Sequence, residues 1–351
     1  MQVQLRSCWC SAQKRIVFLG VSLSAACLSL WADSPFISRV WEYAPAPGQF
    51  VNTLPAYEQG DDANDMRIKA EEALADNAQG MITLGGWGGY VVFGFDHMVE
   101  NRPGEYDFVV LGNAMSSDLG ASAEPGVVWV SYDANNNGRP DDTWYELAGS
   151  EYASPATMHD YSVTYFAPDD DHVATPDKEQ PYLTDTTYIR WEASDGAQGY
   201  LHQLSYHRQP YFPQWAETGS LTFTGTRLAP NARFENDIFI LDPYAYGYAD
   251  NFPNDTMAAR LMIDWAVDTN GTPVMMPGIH FVRVQTAVHQ QCGQIGETST
   301  EITGAIDLHR VEGMESIQNS EISYQKILRA GTIYILRGKK AYTITGQTTN
   351  D

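Results

Sequence analysis

Residues 127–147, VVWVSYDANNNGRPDDTWYEL, place an acidic, amide-rich decapeptide between two runs of β-branched and aromatic residues. Such runs suit a pleated, half-buried surface and read as strands. The connection DANNNGRPDD carries more oxygen-bearing side chains than a turn requires. The stretch therefore predicts a β-hairpin whose loop supplies ligands.

Within that loop Asp133, Asn135 and Asn137 alternate, so their side-chain oxygens can converge on one point, and Gly138 permits the sharp turn that follows. This is the first half of a calcium loop. Counted as an EF-hand, Arg139 would offer its backbone carbonyl and Asp141 the ninth position, but Trp144 stands where the bidentate glutamate belongs. The closer comparison is a calcium loop on a β-hairpin, with Asp141 or Asp142 completing the shell and Glu146 reaching over from the next strand. The alternative is a long Asx-type turn without metal. A structural calcium is the expected cofactor, because a catalytic metal would bring histidines and none is near. Asp268 and Asn270 in VDTNGTP repeat part of the spacing, yet Asn270-Gly271 between apolar runs reads as a hairpin turn. APDDDH, residues 167–172, reads as a solvated loop.

Outward from the hairpin, YVVFGF, YDFVVLG, YSVTYF, TYIRWEA, SLTFTGTRL, MIDWAVD and IHFVRVQTAV repeat the strand signature between frequent Gly, Pro, Asn and Asp turns. This spacing predicts an all-β fold, an antiparallel β-sandwich, over residues 80–309. The preceding segment, 33–79, contains one expected surface helix at residues 66–78, with Met66, Ala70, Ala73 and Leu74 on its apolar side. Residues 310–322 read as a polar linker and 323–351 as a basic β module with turns at RAGTI and RGKKA.

At the start, Lys14 and Arg15 precede an apolar run ending in small residues, the pattern of a secretory signal peptide over 1–32. An alternative reading acylates Cys27 as a lipoprotein. Cleavage before Asp33 leaves Cys292 as the one cysteine, so no intramolecular disulfide is expected. The leader holds three of the 21 basic residues and none of the 44 acidic ones. Such an acidic body repels phosphate backbones, which argues against nucleic acid and for cations as partners.

Enzyme signatures are weak: GxSxG, HExxH and phosphate-binding glycine loops are missing from the sequence. His289 and Cys292 read better as buried packing than as a base and thiol nucleophile. The aromatic loops are more informative. HRQPYFPQW, residues 207–215, groups Tyr211, Phe212 and Trp215 around two prolines, and YAYGYADN, residues 244–251, adds Tyr246 and Tyr248. These five are the candidate ligand-binding residues, as a ring-stacking platform, and the competing reading makes them a buried plug.

GGYVVFGFDHMVENRPGEYDFVVLGNA and AEPGVVWVSYDANNNGRPDDTWYELAGSEY, continued by HRQPYFPQW, YGYADN and the run from IDWAVDTNGTPV to ITGAIDLH, resemble a family of exported Bacteroidetes cell-surface, PKD-like proteins. The glycine pair with GFD, PG, DFVV and EPG also looks like galactose-binding-like jelly rolls, which implies a lectin-type sandwich. KILRAGTIYILRGKKAYTITGQ is similar to C-terminal tails thought to direct Bacteroidetes proteins through the secretion machinery to the cell surface. Together these imply a non-enzymatic, calcium-stabilised surface module that binds glycan or another small extracellular ligand. A secreted glycoside or peptide hydrolase, and a surface accessory for uptake of a ligand such as a corrinoid, are the alternatives.

Overall fold

The computed structural model describes residues 34–117 and 120–310, with the backbone of four further strands between 324 and 349. The expected leader, and the expected linker beyond Arg310, lie outside the described residues. The fold is all-β, mostly antiparallel, and the strands divide among several sheets.

The hairpin of the opening stretch forms as expected. Strands Gly126–Ser131 and Trp144–Leu147 pair antiparallel, Val130 opposite Tyr145 and Ser131 opposite Trp144. They sit inside a six-stranded sheet of order Arg39–Ala44, Tyr90–Glu100, Gly278–Thr286, Gly126–Ser131, Trp144–Leu147, Ala266–Val267. Val282 lies opposite both Phe93 and Val130, and Val284 opposite both Val91 and Val128, so one face of three strands is continuously apolar. That face fills the largest core, to which Phe108, Val110, Leu261 and Ala305 contribute from a second sheet of strands Arg260–Leu261, Phe108–Leu111 and Gly304–Asp307. Each such Val, Leu or Phe side chain stabilises the fold by roughly 1.5–3 kcal/mol when fully buried. Residues 91–95 are buried without alternation because both faces of their strand are covered, which is why the sequence there reads as one unbroken apolar run.

The helix spans Ala63–Leu74, starting and ending earlier than the 66–78 expected. Asp62 explains the start. Its carboxylate accepts the N–H groups of Asn64 and Asp65, and Asp65 answers on the Asp62 N–H, a reciprocal capping box. The end comes at Ala75, whose backbone is extended, and Asp76 and Asn77 follow in left-handed backbone that cannot resume the helix. Met66, Ala70 and Leu74 are buried as the periodicity required.

A four-stranded sheet of order Gln198–Leu204, Leu183–Ala193, Met158–Phe166, Ser220–Arg227 carries its own core of Tyr161, Val163, Tyr165, Ile189, Leu201 and Phe223 beside Trp87. The strands Tyr324–Arg329, Thr332–Arg337, Lys340–Thr343 and Thr348–Thr349 pair antiparallel in chain order, the meander expected of the basic module.

Candidate functional site

The loop 133–142 draws its oxygen-bearing residues together. The Asp133 carboxylate accepts the backbone N–H of Asn137 at 3.0 Å and of Gly138 at 2.8 Å, and Gly138 takes the positive φ that the turn demands. Asn135 Oδ1 also accepts the Asn137 N–H, at 2.9 Å, while Asn137 Oδ1 accepts the N–H of Arg139 at 2.8 Å. On the far side the amides of Asn135 and Asn137 both donate to Asp141, and Asp142 accepts the Ala134 N–H at 3.1 Å. Donation by Asn137 and Asn135 holds the Asp141 carboxyl below the usual carboxylate range. Asp133, 6% exposed, anchors the loop by donating its own N–H to Nδ1 of His280 on the central strand Gly278–Thr286. Burial lowers the His280 pKa, which favours the neutral ring that can accept this hydrogen bond.

Glu146 does not join them. Its Oε2 accepts the Thr226 hydroxyl at 2.6 Å, and burial raises the carboxyl to about 7. In VDTNGTP, Asp268 accepts the N–H groups of Asn270 and Thr272 and closes a turn, as expected.

The aromatic candidates separate. Tyr211 is buried at 0% exposure, packs edge-on against Tyr188, and gives its hydroxyl to no solvent: the oxygen accepts the Leu204 N–H at 3.1 Å. Trp215, half-buried, stacks between Tyr43 and Tyr57, with centroids 6.2 Å away on each side, and Phe212 packs on the core of the four-stranded sheet. Tyr248 is buried at 2% in a third cluster, beside Tyr244. Of the five, Tyr246 alone is well exposed, at 42%, and it leans on Trp265. A stacking platform needs open ring faces on one surface, and these rings are spread over three cores. The loop 207–215 is a plug: Asn52, itself at φ 72°, donates to the carbonyls of Pro210 and Phe212 and accepts the Gln214 N–H.

A groove of about 430 Å³ lies instead on the four-stranded sheet, lined among others by Phe166, Asp169, His172, Tyr188, Arg190 and Tyr200. Register builds its floor. Arg190 is the cross-strand partner of both Phe166 and Tyr200, so the three side chains stand in one row on one face. The Arg190 guanidinium lies 3.7 Å from the centre of the Phe166 ring and pairs with Glu192. On the rim, His172 is held by buried Asp185 at 2.5 Å, which also accepts the N–H groups of Thr175 and Thr187. The loop APDDDH, expected to be merely solvated, thus borders the groove. Alternation in YSVTYF and TYIRWEA hints that Phe166 and Arg190 point away from a core, but nothing in the sequence pairs them.

Cys292 is fully buried and its thiol is pushed up to about 12, while burial pushes His289 down to about 4 among Trp87, Tyr165 and Trp191. At neutral pH the pair offers neither thiolate nor imidazolium.

Fold and sites together define an all-β protein with an acid-amide loop on one hairpin and a polar, aromatic groove on a separate sheet. No family model matches the chain and no curated protein matches it.

Proposed function

We propose that this chain is an exported cell-surface module that binds a glycan without turning it over, carried on a galactose-binding-like jelly roll and stabilised by calcium at loop 133–142. The observation that carries the binding reading is the row Phe166, Arg190, Tyr200 on the floor of an open groove. Sugar rings combine an apolar face with a rim of hydroxyls, and aromatic side chains beside charged, hydrogen-bonding ones answer both. Here Tyr200, 38% exposed, supplies ring surface, while Arg190, Asp169 and His172 supply polar atoms. Two sheets sharing the largest core support the sandwich reading, and the convergence of Asp133, Asn135, Asn137, Asp141 and Asp142 supports calcium. Export and surface attachment rest on the two ends of the sequence.

The test is a glycan array followed by calorimetry with the best oligosaccharide. Tyr200→Ala and Arg190→Ala should each weaken binding at least about tenfold while the melting temperature stays within a few degrees, since both residues are exposed. Mass spectrometry of the incubated oligosaccharide should show it intact. A cleaved product would replace this reading with the hydrolase, and binding unaffected by either substitution would remove the groove from it.

A further inference from the structure

Glu124, Asp250 and Glu301 come from distant parts of the chain, yet each is buried, at 3%, 3% and 1% exposure, and one carboxylate oxygen from each lies within 4.8 Å of the other two. Neutral donors hold Asp250 and Glu301 in place. Asp250 Oδ1 accepts the N–H groups of Asn113 and Ala114, both at 2.7 Å, and its Oδ2 accepts the Glu301 N–H at 3.0 Å. Thr83 and Ser299 donate hydroxyls to Glu301 Oε1.

A second observation points to a ligand. Asn113 is 4% exposed, and its carboxamide is turned onto the cluster, with Nδ2 3.1 Å from Glu301 Oε2. The same carboxamide ends in an oxygen, Oδ1, that has no hydrogen-bond partner among the described residues. Buried amide oxygens are normally satisfied, so this orphan, on the same carboxamide whose nitrogen touches Glu301, lacks the donor or cation that would ordinarily meet it. A half-turn of the carboxamide exchanges its oxygen and nitrogen, which lets the side chain present oxygen to a cation.

We propose that Glu124, Asp250, Glu301 and the Asn113 carboxamide oxygen hold a hard divalent cation, calcium in class. The donors are all oxygen, which disfavours zinc and copper. Calcium binds oxygen at roughly 2.3–2.6 Å, so ligand atoms spread over up to twice that distance suit a central ion. The site shares no residue with loop 133–142. It ties the turn before strand Gly126–Ser131, the segment around Asp250, strand Glu301–Ile302 and the end of strand Phe108–Leu111 to one point, where protons would be the competing occupant.

The experiment uses the purified protein carrying Asp133→Ala and Asp141→Ala, which removes the surface loop from the measurement. After purification in calcium and desalting, elemental analysis should find about one calcium per chain, and prolonged chelation should lower the melting temperature. Adding Glu301→Gln, which keeps size and hydrogen bonding, should lose that equivalent and the chelator response. If the triple variant does not fold, the metal content and chelator response of the loop variant decide alone. A loop variant with no retained calcium and identical melting with and without chelator overturns the proposal and leaves protons in the cluster; so would a Glu124→Gln substitution in it that raises the melting temperature.

Discussion

Asn137 donates its side-chain amide to both carboxylate oxygens of Asp141, at 3.1 and 2.9 Å. A bound cation needs oxygen from both residues, so the Asn137 amide must turn over when the ion enters. Because an ion held there would bind the folded state, its effect on stability would grow with the logarithm of its concentration, reaching about 2.7 kcal/mol at a hundredfold excess over the dissociation constant. Added calcium should raise the melting temperature, and Asp133→Ala should abolish the part of that response contributed by the loop. Equal calcium responses in wild type and Asp133→Ala would leave the loop as a plain turn.

Trp215 stacks between Tyr43 and Tyr57, and it belongs to the largest core. Trp215→Ala should cost about 3 kcal/mol, the low end for aromatic truncation because the ring is half-buried. Denaturant titration measures this, and glycan affinity should not change. Unchanged stability with weakened binding would return the ring to the ligand surface.

Asn52 holds the 207–215 loop through three hydrogen bonds while standing at φ 72°. Asn52→Ala removes the bonds and leaves a residue that tolerates left-handed backbone less well than asparagine, a loss of roughly 3 kcal/mol. Asn52→Gly relieves the backbone alone, so its stability should fall between that of alanine and wild type. A glycine variant as unstable as the alanine variant would mean that backbone strain contributes nothing.

Burial pushes the Glu297 carboxyl up to about 8, although the Gln49 N–H donates to it, and Glu124 adds repulsion. The folded state therefore keeps a proton that the unfolded chain has lost above pH ~4.3. Stability associated with this group is fully present below that pH and declines as pH rises toward 8, by at most about 1.4 kcal/mol per pH unit. Glu146, raised to about 7, acts in the same direction. Urea midpoints between pH 5 and 8 should fall for wild type and fall less steeply for Glu297→Gln; parallel pH profiles would count against a protonated Glu297.

The buried Cys292 thiol, pushed up to about 12, should react with iodoacetamide at pH 8 at least about 100-fold more slowly in the native protein than in urea. Rapid native alkylation would show that residues 292–296 open readily.

What was legible in the sequence is local. The hairpin at 127–147, the convergence of Asp133, Asn135, Asn137 and Asp141, the Asp268 turn and the buried side of the helix all lie within a few residues of one another, so chain connectivity alone brings them together. The all-β class follows from composition repeated along the chain for the same reason. What only tertiary structure decided depends on register and long-range packing. Phe166, Arg190 and Tyr200 share a row because three strands pair in one alignment, and a shift of one residue would turn Arg190 to the other face. Glu124, Asp250, Glu301 and Asn113 meet across up to 188 residues of sequence. Tyr211 and Trp215 look identical in sequence to an exposed aromatic platform, and their burial was decided by Asn52, some 160 residues earlier in the chain, which draws their loop inward.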